Sequence, residues 1–481
     1  MKIVKNYLYN ASYQLLALIL PLITAPYVAR TLGPKGVGQY SFTYAIVTWF
    51  TLVASIGVAY YGDRQIAYVR DNKHELSKTF WEIQIVKFVM SLLAFFLFCG
   101  FETWYQKYGL ILALQSINIL ASMIDISWLY NGLEDFKRTV TRNTIVKLLS
   151  VILIFILIHQ PSDTWKYVLI LAASMFLGNL TLWPRLKILL EPVKLSELRP
   201  LSHLKESLIL FIPSIATKVY LVLNKTVLGV VVGPTAAGFY NNSDQLIQMV
   251  LAIVTATGTV ILPRASKEFA TGKIDKVKAL LYQSFEFVSL IAVPMAFGVA
   301  AIALKLSTFF YGKNFAPVGP IMMIEAIDII FIAWSNVIGI QYLLPTKRTR
   351  EYTRSLVNSA ILSIIISFPL IKIFGLPGAM FTTVIAELNV TLYQFKLVKS
   401  EFSFRRMFRD IPKIFFAGFV MFVLVFWLNS YLSFNIFTMF FEVFIGIIIY
   451  GFMILILRPK LLADIAKVMP EGVKKKLERK G

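Results

Sequence analysis

The stretch "PKIFFAGFVMFVLVFWLNS", residues 412–430, holds a single charge, Lys413. A run that long and that apolar is what a helix rising 1.5 Å per residue needs to cross a hydrocarbon core about 30 Å thick. The pattern recurs along the chain. Windowed hydropathy places fourteen candidate spans at 8–29, 38–60, 79–100, 109–130, 143–159, 166–184, 206–229, 237–262, 281–304, 318–343, 355–371, 377–395, 412–430 and 434–457. In hydrocarbon each backbone amide must find its partner inside its own segment, so the chain is expected to be an all-α polytopic membrane protein. Only 15% of its residues are charged, against about 25% in soluble domains.

The formal net charge is +22, which on a soluble protein would suggest nucleic acid. Its placement argues otherwise. With the N-terminus inside, and with Lys147, Lys166 and Lys413 near span ends counted with the adjoining loops, 38 of the 48 Lys and Arg fall on inside segments, 7 on outside loops, and 3 deep within spans (Lys87, Lys218 and Lys225). That asymmetry is the positive-inside pattern: both termini are predicted to be cytoplasmic, and nucleic acid drops out as a partner. The first apolar run lacks a small-x-small cleavage site and is long enough to span, so it reads as a retained helix rather than a signal peptide. The basic tail after residue 457 reads as a solvated positive-inside segment or as an interfacial helix against anionic lipid. One cysteine, Cys99, excludes an internal disulfide. With His74, His159 and His203 all near predicted loops, neither a metal site nor a cofactor is expected.

Two motifs repeat. "GPKGVGQY" (33–40) and "GPTAAGFY" (233–240) each open the second helix of a six-helix block. "KRTVTRN" (137–143) and "KRTREYTRS" (347–355) each precede the fifth. The expected plan is a duplicated unit, with six-helix bundles over 1–200 and 201–400 related by an axis along the membrane normal. Two further helices and the tail follow over 401–481.

No phosphate-binding Gly-x-x-x-x-Gly-Lys-Ser/Thr loop, Gly-x-Ser-x-Gly or His-Glu-x-x-His is present, and the outside loops are short, thirteen residues at most. An enzyme is therefore not expected. Polar residues inside the spans fall in stripes. Gln115, Asn118, Ser122 and Asp125 line one helix face, and Asn6, Asn10 and Gln14 another. Tyr240, Asp244 and Gln248 form a third, Gln84, Lys87 and Ser91 a fourth. Glu325 and Asp328 lie in the tenth span, Glu387, Thr391 and Gln394 in the twelfth. Such stripes must face protein or water, which points to a hydrated cavity; for a single Asn or Gln the plainer reading is interhelical hydrogen bonding. Lysines at depth cost about 2.5–3.5 kcal/mol each. Lys218 and Lys225 are two turns apart, so they leave one helix face. Lys87, Lys218 and Lys225 are therefore candidate contacts to an anionic substrate. Asp125, Asp244, Asn118, Gln248, Glu325 and Asp328 are candidate cavity or ion-coupling groups, with H+ or Na+ as the ion. Arg64 and Arg264 read as interface anchors.

"YVARTLGPKGVGQYSFTYAIV", "DISWLYNGLEDFKRTVTRN" and "FGLPGAMFTTVIAE" resemble the Wzx-type oligosaccharide flippases, the polysaccharide-transporter branch of the multidrug/oligosaccharidyl-lipid/polysaccharide exporter superfamily. The resemblance runs over residues 1 to about 400. It implies two six-helix bundles that alternate access in a bacterial inner membrane. The implied cargo is an undecaprenyl-diphosphate-linked oligosaccharide for capsule, exopolysaccharide or a related surface polymer, with a glycan polymerase and chain-length machinery as partners. Related lipid II flippases carry an arginine in a Val-Ala-Arg-x-x-Gly stretch. It is matched here by Val28, Ala29, Arg30 and Gly33, which makes Arg30 a candidate diphosphate contact. The acidic residue those relatives carry shortly after it is not matched, since Gln39 and Tyr40 stand there. Helices thirteen and fourteen would offer a groove for the polyprenyl tail. Two other readings compete: a multidrug or cation exporter of the same superfamily, and a polymerase or transferase acting on lipid-linked glycans.

Overall fold

Gly33 interrupts the first helix. Its φ of 68° lies in the left-handed region that glycine tolerates, and Pro34 after it has no amide to donate. In the computed structural model, which describes residues 2–459, helix α1 (Lys2–Ser55) therefore runs as two segments joined at that kink. The tail from 460 onward and the side chains of Asn6, Asn10 and Gln14 lie outside the described residues. Every other element is helical too, and no β-strand occurs among the described residues. Eleven stretches among them are long and apolar enough to cross a membrane.

The chain divides into two compact units: Met1–Asn241 with Ser367–Leu376, and Asn242–Ile366 with Pro377–Gly481. In the first, α1 is followed by α2 (Val58–Val69), α3 (Lys73–Trp104), α4 (Gly109–Met123), α5 (Ser127–Gly132), α6 (Phe136–Leu157), α7 (Thr164–Leu180), the single turn α8 (Leu186–Leu189) and α9 (Leu204–Val231). Their core gathers Tyr61, Ile66, Phe80, Ile83, Trp128, Leu129, Tyr130 and Leu182. The "WLYNG" segment is thus a packing element. Trp128 lies over Gly62, and a Cβ added at Gly132 would meet Ile66 at 2.6 Å.

α10 (Pro234–Ala270) starts in the first unit. There the two Gly-Pro motifs meet: a Cβ at Gly238 would sit 2.8 Å from the Gly38 backbone, and one at Gly38 would strike the Pro234 carbonyl. Nearby, the Phe42 ring fills the space beside Gly229, and the Trp49 indole donates to Thr226 Oγ1 (3.0 Å). Close backbone approach through small residues is how membrane helices gain packing where apolar burial against lipid gives little.

The second unit continues with α11 (Ile274–Tyr311), α12 (Val318–Glu325), α13 (Asp328–Ile338), α14 (Thr349–Phe374), α15 (Leu376–Val398), the turn α16 (Phe404–Met407), α17 (Ile411–Tyr431) and α18 (Ile436–Leu457). The α17–α18 hairpin packs on α11 through Ala301, Ile302, Met421 and Val425. Tyr450 closes it by donating to the Leu290 carbonyl (2.9 Å).

Candidate functional site

The span expected over 109–130 breaks between α4 and α5. A helix C-terminus leaves four carbonyls without intrahelical donors, and hydrocarbon offers no water to meet them. Four side chains do so here. Asn179 donates to the Ala121 carbonyl (2.7 Å), Gln84 to Met123 (2.9 Å), the Trp183 indole to Ile124 (2.8 Å), and the Lys87 ammonium to Asp125. The Asp125 carboxylate in turn accepts the Ser127 amide (2.9 Å), which starts α5. Lys87 is only 4% exposed, and a cation at a helix C-terminus also opposes the helix dipole. The break takes Asp125 off the stripe that the sequence suggested. Asn118 stays on it, donating to the Gln115 side chain (2.7 Å), which reaches Thr43 of α1 (3.4 Å). Asn179 and Trp183 escaped the sequence reading, because nothing local to them marks a carbonyl sixty residues away.

The two lysines within the apolar run of α9 differ. Lys225 is half-buried: its ammonium donates to Asn241 Oδ1 (2.9 Å) and stands 5.9 Å from the centre of the Tyr240 ring. Lys218 is exposed. Arg30 is exposed on α1, three residues before the kink. Arg64 pairs with Glu206 (2.9 Å), both at the surface.

In the second unit the span expected over 318–343 also breaks, between Glu325 at the end of α12 and Asp328 at the start of α13. Glu325 is 2% exposed and accepts from Ser243. Asp328 is 1% exposed, and neither of its carboxylate oxygens meets a hydrogen-bond donor among the described residues. Glu387, Glu325 and Asp244 are its electrostatic neighbours. Asp244 accepts from Gln248 (3.2 Å). A carboxyl buried in this way needs a proton or a cation of its own. Glu387, seen in the sequence only as part of a polar stripe, joins the acids at this break. Among the described residues no group of three or more His, Cys, Asp or Glu is placed to hold a metal ion.

Comparison with known proteins places these features. The sequence profile of a family described as polysaccharide biosynthesis proteins matches residues 3–269. A candidate O-antigen transporter of Shigella dysenteriae is 26% identical over 387 residues, covering 79% of this chain and 96% of the relative. Another, from Escherichia coli K12, is 25% identical over 407 residues, covering 82% and 96%. Among solved structures, the lipid II flippase MurJ in an inward closed conformation superposes with a TM-score of 0.77 at 15% identity, covering 94% of this chain and 99% of that one. At that identity the likeness shows the fold alone. The relatives are named as transporters, not enzymes. With eleven apolar stretches and relatives of this kind, the chain is a multi-pass protein of the bacterial inner membrane. The profile covers more than half of the sequence, and the chain belongs to the polysaccharide biosynthesis protein family, in the flippase branch its motifs resemble.

Proposed function

We propose that the protein flips a lipid-linked oligosaccharide, carried on undecaprenyl diphosphate, from the cytoplasmic to the outer leaflet by alternating access. The family and the O-antigen transporter relatives support the cargo class. The observation that carries the site is α9: an apolar helix that keeps Lys218 exposed and Lys225 half-buried two turns away. A diphosphate is a concentrated anion, and a lysine ammonium is a compact point charge suited to it. In this reading Lys218, Lys225 and Arg30 meet the diphosphate, while Lys87 holds the α4–α5 break and acts on the cargo only through the shape of that break.

Three further elements belong to the proposal. The eleven apolar stretches become fourteen crossings when α1 is counted as two at Gly33 and α9 and α15 are added, which leaves both termini cytoplasmic. The paired breaks in α4–α5 and α12–α13 fall in the fourth helix of each six-helix block, in keeping with bundles over 1–200 and 201–400 and an appendage over 401–481. The polyprenyl tail would lie in a cavity of about 440 Å³ in the second unit, walled by Leu290, Pro294 and Val299 of α11, Met421 of α17, and Gly446 and Tyr450 of α18. Asp328, with Glu325, Glu387 and Asp244, would carry the coupling H+ or Na+. A glycan polymerase and its chain-length machinery would take the product.

Replacing Lys218 by Ala and by Arg in the native host tests the site. Surface polysaccharide lost in Ala, partly kept in Arg, and precursor trapped on the cytoplasmic leaflet are the expected results. Normal export by both variants at wild-type membrane levels would remove Lys218 from the path.

A further inference from the structure

Residues 190–203, the chain between α8 and α9, are strapped to the start of α3, and two of the protein's three histidines do the fastening. At the α9 end, Glu82 of α3 accepts from His203 Nε2 (2.8 Å) and from the Arg199 amide (2.7 Å), while His203 Nδ1 meets the Tyr61 hydroxyl (2.6 Å). At the α8 end, Leu190 is buried in the core of the first unit. None of residues 191–198 between these anchors is buried. Among the described residues their polar ties to other elements are few. The Glu191 amide donates to Ser77 Oγ (2.9 Å), and the His74 ring holds two carboxylates, Glu191 at Nδ1 (3.0 Å) and Glu197 at Nε2 (3.1 Å).

The two histidines differ in what their rings must supply. A neutral imidazole has one N–H and one lone pair. His203 faces a carboxylate and a hydroxyl; the hydroxyl can donate, so a neutral ring satisfies both. His74 faces a carboxylate on each nitrogen, and an ionised carboxylate only accepts. Two N–H groups are then required, so this geometry needs the imidazolium. Loss of the proton sets a lone pair against a carboxylate oxygen and breaks one of the two ties.

His74 stands in the first turn of α3, ahead of the apolar run at 79–100, with its side chain 45% exposed, so water delivers and removes that proton. Lys194 on the strap, Lys73, Glu75 and Lys78 on α3 and Asp71 before it are charged as well. The groups that set the His74 charge are the Glu191 and Glu197 carboxylates, whose hydrogen bonds hold its proton above the ordinary histidine range of about 6.5.

We infer that His74 is a pH latch on this strap: the imidazolium pins residues 191–198 to α3, and the neutral ring releases them, while Leu190 and His203 keep the two ends in place. The carboxylates stay ionised across the histidine range, so the sign follows from His74 alone. The strap is held at low pH and slackens as pH rises through the raised His74 value. Its eight freed residues then have a reach of about 26–29 Å, and the chain ahead of α9 becomes a loose loop carrying two acids. The inference does not depend on what the protein carries.

Hydrogen–deuterium exchange of the full-length protein in detergent, at about pH 6 and about pH 9, brackets the histidine range. Rates are divided by the intrinsic exchange rate at each pH. In wild type, protection within 190–198 is expected to fall at least about threefold at the higher pH, the scale of an exposed ion pair, while protection within 199–207 holds. H74R keeps a cation with a donor for each carboxylate and should stay protected at both pH values. H74Q should be loose at both. Equal wild-type protection at the two pH values, a fall that persists in H74R, or H74Q as protected as wild type at the lower pH overturns the inference.

Discussion

Lys87 and Lys218 carry the same charge on membrane helices and are treated in opposite ways. Lys87 is buried against the Asp125 carbonyl at a helix break; Lys218 stays exposed. Lys87→Met removes the donor and leaves a carbonyl unmet, which costs about 1–3 kcal/mol. We expect a lower melting temperature in detergent and less protein in the membrane, with any transport defect explained by that loss. Lys218→Ala should melt like wild type and fail only in transport. Asp328 gives the reverse case. Its carboxyl is buried and meets no donor among the described residues, so the near-isosteric Asp328→Asn removes the need for a proton or cation at that site. The variant is expected to melt higher than wild type while its transport no longer responds to a proton or sodium gradient across proteoliposomes. A lower melting temperature would mean that the carboxylate already holds a stabilising partner. The sequence could list these residues but not sort them, because what separates a cap from a ligand contact is the position of a helix break.

At the scale of elements, the breaks and the Gly-Pro motifs explain what was legible. Hydropathy located the apolar runs because each crossing must be continuously apolar. It ran straight through 123–127 and 325–328, because a break whose carbonyls are met by distant side chains leaves the local composition unchanged. The motif echo at 33–40 and 233–240 was visible and correctly read as helix punctuation, since Gly33 and Gly233 both take positive φ. That the two motifs pack on each other was not visible, as no local pattern names a partner two hundred residues away. Their glycines therefore make different predictions. Nothing lies within 4 Å of a Cβ at Gly33, so Gly33→Ala should cost only the strain of a backbone conformation kept by glycine (φ 68°, ψ 176°), about 1–3 kcal/mol. Gly238→Ala meets the backbone of Gly38 at 2.8 Å and has no flexible neighbour to yield. Its melting temperature should fall further than that of Gly33→Ala; an equal or smaller drop would mean that the contact opens at little cost.

Over the whole molecule, the charge count and the helix inventory constrain each other through parity. Each crossing added or removed reverses the side of everything downstream, so an asymmetry of 38 inside to 7 outside survives only with a matching number of crossings. The helices whose status as crossings matters most are α9, with Lys218 and Lys225 in its apolar run, and α1, kinked at Gly33. Exposed Lys194, Lys273 and Lys313 bracket α9, α10 and α11 in turn. If α9 and α10 both cross, residues 194 and 273 share a side, and α11 carries 313 to the other. Cys99 is the one native thiol, so single cysteines at these three positions can be labelled cleanly once Cys99 is replaced by Ser. A membrane-impermeant maleimide added to spheroplasts should label Lys313→Cys at once, and Lys194→Cys and Lys273→Cys only after lysis. Labels at 194 and 273 on opposite sides would mean that α9 does not cross. Its lysines would then lie at the surface, and a deep cationic contact for a diphosphate would have to be sought elsewhere in the fold.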